Sequence, residues 1–145
     1  MFKRMVSAML AAFFAIGLAS AAERNNQPIL ALNGVCPVCL IDANKEIKGD
    51  SKIASHYRGF EYRFPDADTK AIFDKAPDKY AIQHQGQCPV CIYKHEATRA
   101  DPTIYSIFNK KLYIFANENY KRSFDREPTK YVKTDGSGRA MRSGS

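Results

Sequence analysis

The sequence predicts an α+β fold made of two copies of one small unit, and two observations lead to this prediction. A segment that contains two cysteines occurs twice, as Gly34-Val35-Cys36-Pro37-Val38-Cys39 and as Gly86-Gln87-Cys88-Pro89-Val90-Cys91. The aromatic and proline residues that follow the first segment recur 51 positions later. They are Tyr62, Phe64, Phe73, Pro77 and Tyr80, which match Tyr113, Phe115, Phe124, Pro128 and Tyr131. A period of this length is typical of a repeated supersecondary unit.

The first residues have the pattern of an export signal. Lys3 and Arg4 precede an apolar run at residues 5–19, which ends in small residues of the kind that a signal peptidase accepts. The run is too short to span a bilayer. We expect residues 1–21 to be a cleaved signal peptide and residues 22–32 to be a leader; an uncleaved anchor is the alternative. The mature protein is then periplasmic or secreted and has no membrane span.

The charge of the mature chain is mild. The formal net charge of the whole sequence is +7, and it falls to +5 when Lys3 and Arg4 leave with the signal peptide. The remaining cations are spread among acidic residues along the chain. Proteins that bind nucleic acid concentrate Lys and Arg on one element or face. We therefore expect no nucleic-acid partner.

The first unit is predicted to contain a β-hairpin and a short helix. Aromatic residues alternate in the segments on either side of the Arg58-Gly59 turn, which predicts strands at residues 53–57 and 60–64. Asp66 is a good N-cap for a helix that runs to about Lys75 and is ended by the next proline.

Two segments that flank the first cysteine pair have weaker signals. Residues 28–32 are apolar and precede an Asn-Gly turn, which predicts a short leading strand. Residues 42–50, after the pair, are polar and without a clear period, so we expect irregular structure there.

The second unit repeats the order of the first. Its strands are predicted at residues 103–108 and 111–115, and Asn117 takes the N-cap position of a helix that continues through Phe124. The domain organisation that follows is unit 1 at residues 33–82 and unit 2 at residues 83–133. The small, basic residues 134–145 have nothing to bury and are predicted to be a disordered tail.

The return strands of the two hairpins differ. Leu112 and Ile114 stand in the second unit where Glu61 and Arg63 stand in the first. A strand that is apolar on both faces has to be covered on both. We therefore expect the two units to pack as one body with a shared core.

The order of these features resembles that of a known family. The succession of Cys-Pro-Val-Cys, a hairpin, Tyr-x-Phe, a helix with a Phe, and Pro-x-x-Tyr resembles the YHS domain. YHS domains are small metal-associated modules related to treble-clef zinc fingers. The resemblance covers nearly the whole mature chain, twice, and implies a tandem YHS-domain protein that holds a metal ion through its cysteines.

Two departures from the family pattern bear on the metal ligands. The family has a second cysteine pair at the helix start, and here Thr69 and Tyr120 occupy the last position of that pair. Each copy therefore lacks half of the ligands that the resemblance implies. Metal knuckles also commonly place Gly after the Cys-x-x-Cys, because the backbone turns through positive φ there. Leu40 and Ile92 stand at that position, which indicates a relaxed knuckle.

Three interpretations of Cys36, Cys39, Cys88 and Cys91 stay open. In the first, all four thiolates bind one metal ion, for which zinc, copper or iron is suitable. In the second, each pair is oxidised to a disulfide within its own unit, as an oxidising compartment favours. In the third, one pair exchanges disulfides with a partner. The third is disfavoured because no strand leads directly into Cys36 and no long helix follows Cys39, as a thioredoxin-like frame would need.

The sequence therefore favours an exported binding protein over an enzyme. The expected partner is a metal ion or another exported protein, and the alternative is a structural module stapled by its cysteines. No Ser-His-Asp set or carboxylate pair stands out, and the aromatic residues are needed for the small core. His95, four residues after Cys91, is the candidate for an additional ligand.

Overall fold

The structure, a computed structural model, describes residues 27–132. The predicted signal peptide (1–21), the start of the leader (22–26) and the predicted tail (134–145) lie outside the described residues. Helices and strands in small sheets make up the described part, so the α+β class is confirmed. Within it, no helix has the length and apolar character needed to cross a bilayer.

The same order of elements occurs twice along the chain. The first half contains β1 (Ile29–Leu30), α1 (Pro37–Ala43), β2 (Asp50–Tyr57), β3 (Phe60–Phe64), α2 (Ala67–Lys75) and α3 (Pro77–Tyr80). The second half contains α4 (Pro89–Lys94), β4 (Asp101–Phe108), β5 (Lys111–Phe115), α5 (Glu118–Arg126) and α6 (Pro128–Val132).

The two predicted hairpins are confirmed, and they share their irregularity. β2 pairs with β3 and β4 with β5, both antiparallel. The register of each pair shifts once, between Asp50 and Ala54 in the first hairpin and between Asp101 and Tyr105 in the second. Such a bulge bends a strand and increases its twist.

Each hairpin is covered by the helix that the sequence predicts after it. The Asp66 carboxylate accepts a hydrogen bond from the Thr69 amide at the start of α2, and the Asn117 side chain accepts one from the Tyr120 amide at the start of α5. Both predicted N-caps are confirmed. One aromatic side chain of each helix, Phe73 or Phe124, is buried against the aromatic residues of its hairpin.

The leading strand belongs to the repeat. β1 pairs in parallel with β3 through Ile29 and Leu30, as the apolar segment at residues 28–32 predicts. Ile82 makes the equivalent parallel bridge to Leu112 in the second half. The repeated structure therefore begins at Ile29, ahead of the boundary at residue 33 that the cysteine motif suggests.

Four short helices were not expected from the sequence. α1 ends at Ala43 and so extends into the segment 42–50, which was predicted to be irregular. α4 follows the second pair in the same way, and α3 and α6 each begin at the proline that ends the preceding helix. Proline favours the first turn of a helix because its φ is already helical and its missing N–H is not needed there.

The core is shared between the two halves. One hydrophobic cluster includes buried side chains from both hairpins and both cysteine segments. Leu112 is 0% exposed and Ile114 is 1% exposed, which confirms that both faces of β5 are covered. The amide of Ile82 also donates a hydrogen bond of 3.0 Å to the hydroxyl of Tyr62, a buried link between the halves.

Candidate functional site

Each cysteine pair forms the first turn of a short helix. Cys36 is the N-cap of α1, and its Sγ accepts a hydrogen bond from the Cys39 amide at 3.3 Å. Cys88 caps α4 in the same way, with the Cys91 amide 3.3 Å from its Sγ. The two cysteines of a pair are thus held together by local backbone geometry that is the same in both copies.

The residues after the pairs explain why no knuckle forms. Leu40 and Ile92 lie inside α1 and α4, and neither adopts the positive φ that a metal knuckle requires. The relaxation that these residues predict is therefore confirmed, and a helical turn replaces the knuckle.

The positive φ angles lie just before each pair instead. Leu32, Asn33 and Gly34 have φ between 51° and 79°, and the matching residues of the second copy have nearly the same angles. Those residues are His84, Gln85 and Gly86. A β-carbon added at Gly86 would lie 2.6 Å from the Phe60 ring, so glycine is needed there for packing as well as for its φ of +80°.

At the C-terminal ends of α1 and α4, the last hydrogen bonds are accepted by the carbonyl of the second cysteine of the pair. The amides of Asn44 and Lys45 donate to the Cys39 carbonyl, and those of His95 and Glu96 donate to the Cys91 carbonyl. The first copy has one more residue before this end. A wider last turn in α1 therefore accommodates the length difference between the copies.

Burial raises the pKa of one thiol in each pair. The pKa of Cys36 is raised to about 12, first by burial and then by its interaction with Cys39. The pKa of Cys91 is also raised to about 12, by burial and by its interactions with Cys88 and with the Glu96 carboxylate. A thiol of this kind is protonated at neutral pH and is a poor nucleophile.

The structure does not bring the four sulfurs to one centre. Among residues 27–132, which contain all four cysteines, no group of three or more Cys, His, Asp or Glu side chains is placed to hold a metal ion. In each pair the amide of the second cysteine donates to the sulfur of the first, so the local geometry of a pair does not depend on the other pair. His95 is exposed and forms the C-cap of α4.

The second hairpin packs on the segments that flank the first pair. β4 packs on the Ala31–Gly34 turn, and the Tyr105 hydroxyl donates a hydrogen bond of 2.7 Å to the Glu46 carboxylate. Burial and this hydrogen bond raise the pKa of Tyr105 to about 12. Cys36 is 0% exposed, whereas Cys39 is half-buried.

The second pair lies at the wall of a cavity of about 680 Å³. Cys88 and Cys91 contribute to the lining, together with the Arg58, Arg99 and Glu96 side chains. This volume is within the range of small-molecule sites. A second, smaller cavity of about 270 Å³ is also lined by Arg58 and by His84.

Sequence differences explain why only the second pair has this cavity. Tyr105 and Glu46, which line a cavity of about 480 Å³ beside the first pair, correspond to Ala54 and Ala97 in the other copy. Ala97 lines the cavity. A β-carbon added at Gly49 would lie 2.2 Å from the carbonyl carbon of Arg63. Ala100 stands at the matching position of the second copy and has a β-carbon, so the backbone there needs a wider spacing from the strand beside it.

The sequence analysis identified the cysteines but not the other residues of this cavity. Arg58 and Arg99 are isolated cations in the sequence, and their proximity depends on how the two halves pack. Comparison with protein-family models, curated proteins and solved structures finds no match to this chain.

Proposed function

We propose that this protein is an exported metal-handling protein in which each Cys-x-x-Cys pair binds one soft cation, with Cu(I) as the preferred ion. The observation that carries the proposal is the repeated first-turn geometry, which holds two sulfurs together in each half. The tandem YHS resemblance and the export signal agree with metal handling outside the cytoplasm.

The choice of Cu(I) follows from the number of sulfurs. Zinc in structural sites takes four ligands in a tetrahedron, and iron–sulfur clusters also use four cysteines. Thiolates select soft cations, and Cu(I) is stable with two thiolate ligands. A pair without a further ligand therefore suits Cu(I) better than zinc or iron.

The same geometry allows a second function, in which each pair is a local disulfide that staples its half. The observation in its favour is the closeness of the two cysteines within one helical turn. Such a bond closes a very short loop and constrains the unfolded chain little. Disulfide exchange is less favoured, because the N-cap cysteines Cys36 and Cys88 are both 0% exposed.

Titration of the reduced, metal-free mature protein with Cu(I) and Zn(II) tests the proposal. We expect one Cu(I) per pair, and the double variant Cys36→Ser/Cys39→Ser should lose one of the two sites and keep the other. The double variant Cys88→Ser/Cys91→Ser is the matched control. Loss of all binding in either variant would instead show one shared site. Affinity for Cu(I) no tighter than about millimolar, roughly 4 kcal/mol, would exclude metal handling.

Intact-protein mass spectrometry separates metal from disulfide. Material purified from the exported fraction should retain metal under native conditions and show four free thiols after denaturation without reductant. A metal-free protein whose mass is lower by the hydrogens of two disulfides would favour the structural function.

A further inference from the structure

We propose that the cavity beside Cys88 and Cys91 is a binding site for a small anionic thiol, whose sulfur becomes a third ligand of the cation held by this pair. The proposal rests on the proposed function for its metal and on the cavity for its ligand. It assigns different roles to two cysteine pairs that have the same local geometry.

The charges of the lining determine the class of ligand. The charged residues among those that line the cavity are Arg58, Arg99 and Glu96, and all three are exposed to solvent. A ligand with two carboxylates and one ammonium group matches this set. Charge-assisted hydrogen bonds between guanidinium and carboxylate are among the strongest that a protein makes.

Arg99 is the available cation of the three charged groups. Within residues 27–132, its side chain makes no ion pair or side-chain hydrogen bond. Arg58 is 2.9 Å from Asp78 in an exposed pair, and such pairs contribute little. Glu96 accepts a hydrogen bond of 2.5 Å from the Tyr120 hydroxyl, which holds its carboxylate in place.

The first copy shows what the cavity residues replace. Arg99 corresponds to Lys48, whose ammonium donates a hydrogen bond to the Asn33 carbonyl. Glu96 corresponds to Lys45. The first pair therefore lacks both the free guanidinium and the carboxylate, and β4 packs on the turn that precedes it.

The two sulfurs in the cavity wall explain why the ligand is a thiol. Cys88 and Cys91 are both lining residues of the cavity, so a soft cation held by this pair would take a further ligand from the cavity. When the sulfur of a ligand thiol binds the cation, the S–H bond breaks, the proton passes to solvent and the metal–sulfur bond forms without any oxidation. Soft thiolates are the ligands that Cu(I) prefers.

Glutathione and S-methylglutathione, whose sulfur carries a methyl group, are the probes for this site. We expect S-methylglutathione to bind the reduced, metal-free full protein at one site, as measured by calorimetry and by NMR shifts of residues 97–100. Arg99→Ala should weaken this binding about tenfold, as the loss of one charge-assisted hydrogen bond predicts. Lys48→Ala, the matched change in the first copy, should leave it unchanged.

The metal-loaded protein tests the third ligand. When glutathione is added, copper X-ray absorption should show a third sulfur ligand on the Cu(I) ions bound by the second pair. S-methylglutathione should produce no change in the copper spectrum. Cys36→Ser/Cys39→Ser should keep this response, and Cys88→Ser/Cys91→Ser should lose it.

Failure of this inference can be distinguished from failure of the proposed function. No binding of S-methylglutathione, or equal binding to the wild type and Arg99→Ala, would overturn the cavity site while leaving Cu(I) binding intact. Binding of S-methylglutathione without any Cu(I) affinity would overturn the proposed function and the third-ligand role, and would keep only the anion site.

Discussion

The two cysteine segments have the same backbone but different surroundings, and the comparison separates local from tertiary causes. The positive φ angles, the capping sulfur and the helix end on the second cysteine are repeated in both copies. The neighbours of the pair in the first copy are buried apolar side chains, and their counterparts in the second are polar or more exposed. These are Leu32, Val35 and Leu40 in the first copy, and His84, Gln87 and Ile92 in the second.

The comparison indicates that the repeated motif determines the backbone geometry of each pair, whereas the other half of the molecule determines which residues surround the pair. Tyr105 of the second hairpin hydrogen-bonds to Glu46 in the segment after the first pair, whereas Ala54 stands at the matching position of the first hairpin. The half-buried Cys39 is the exception, because it is more exposed than Cys91. The exposure of the two pairs therefore differs only at the second cysteine of each pair, since Cys36 and Cys88 are equally buried.

Replacement of a core residue on the shared strand should produce the largest effect. Leu112→Ala removes a side chain that is 0% exposed and is expected to lower the free energy of unfolding by about 2–5 kcal/mol. Glu61→Ala, the matched change in the first hairpin, removes a partly exposed ion pair with Arg63 and should cost less than about 1 kcal/mol. Chemical denaturation measures both. Equal losses would contradict the asymmetry of the two hairpins.

Removal of the Tyr105 side chain should increase access to the first pair. Tyr105→Ala removes the cover over the Ala31–Gly34 turn and is expected to cost about 1–2 kcal/mol, because this side chain is only half-buried. Alkylation of Cys36 by iodoacetamide, followed by mass spectrometry of peptides, should become several-fold faster. The second pair serves as the internal control, and an equal increase at Cys88 would indicate general loosening instead.

The helix caps offer a matched pair with different pH behaviour. Asp66→Ala and Asn117→Ala should each lower the free energy of unfolding, because each removes a side chain that accepts a hydrogen bond from a helix amide. The hydrogen bonds from Thr69 lower the pKa of Asp66 below its ordinary value. Its contribution is therefore complete above the ordinary pKa of about 4 and is lost as pH falls through the lower folded value.

Denaturation of the two cap variants at several pH values checks this prediction. The stability difference between the wild type and Asp66→Ala should shrink below about pH 4, whereas the difference for Asn117→Ala should not depend on pH there. A pH-independent cost for Asp66→Ala would show that its charge does not contribute.

The link between the first and the last helix of each half should give the smallest effect. In the first half the Asp42 carboxylate accepts hydrogen bonds from Tyr80 at 2.8 Å and Lys79 at 3.1 Å. In the second half the Tyr93 and Tyr131 rings meet edge to face at 5.3 Å. The first link involves a charge that titrates in acid, and the second does not.

Asp42→Asn should therefore reduce stability by a few tenths of a kcal/mol at neutral pH, since the carboxylate is largely exposed. Partial burial of Asp42 raises its pKa, but the hydrogen bonds from Tyr80 and Lys79 outweigh this effect, and the net pKa lies below its ordinary value. The cost should vanish as pH falls below about 4. Thermal denaturation of the variant across pH 2 to 7 measures this, and a cost that persists in acid would contradict it.

Local signals were sufficient to predict much of the fold. The hairpins follow from alternation around short turns, and Asp66 and Asn117 cap helices because their side chains reach amides that are close in sequence. The shared core was predictable because Leu112 and Ile114 place apolar groups on both faces of one strand.

The candidate site was predictable only in part. α1 and α4 are too short to show a helical period, and their N-cap is a cysteine, which is not among the residues favoured there. The separation of the two pairs and the cavity beside Cys91 depend on which strand of one half packs on the other. No short-range pattern contains that information.

The way in which α1 and α4 end has a consequence for amide hydrogen exchange. The carbonyl of Cys91 accepts from the amides of His95 and Glu96, so a change of this cysteine that shifts its backbone also strains two adjacent protected amides. Those two exchange rates report on the second pair, and the rates of Asn44 and Lys45 report on the first. Each half thus carries its own probe of its cysteines, and a single exchange experiment can follow both pairs separately in one molecule.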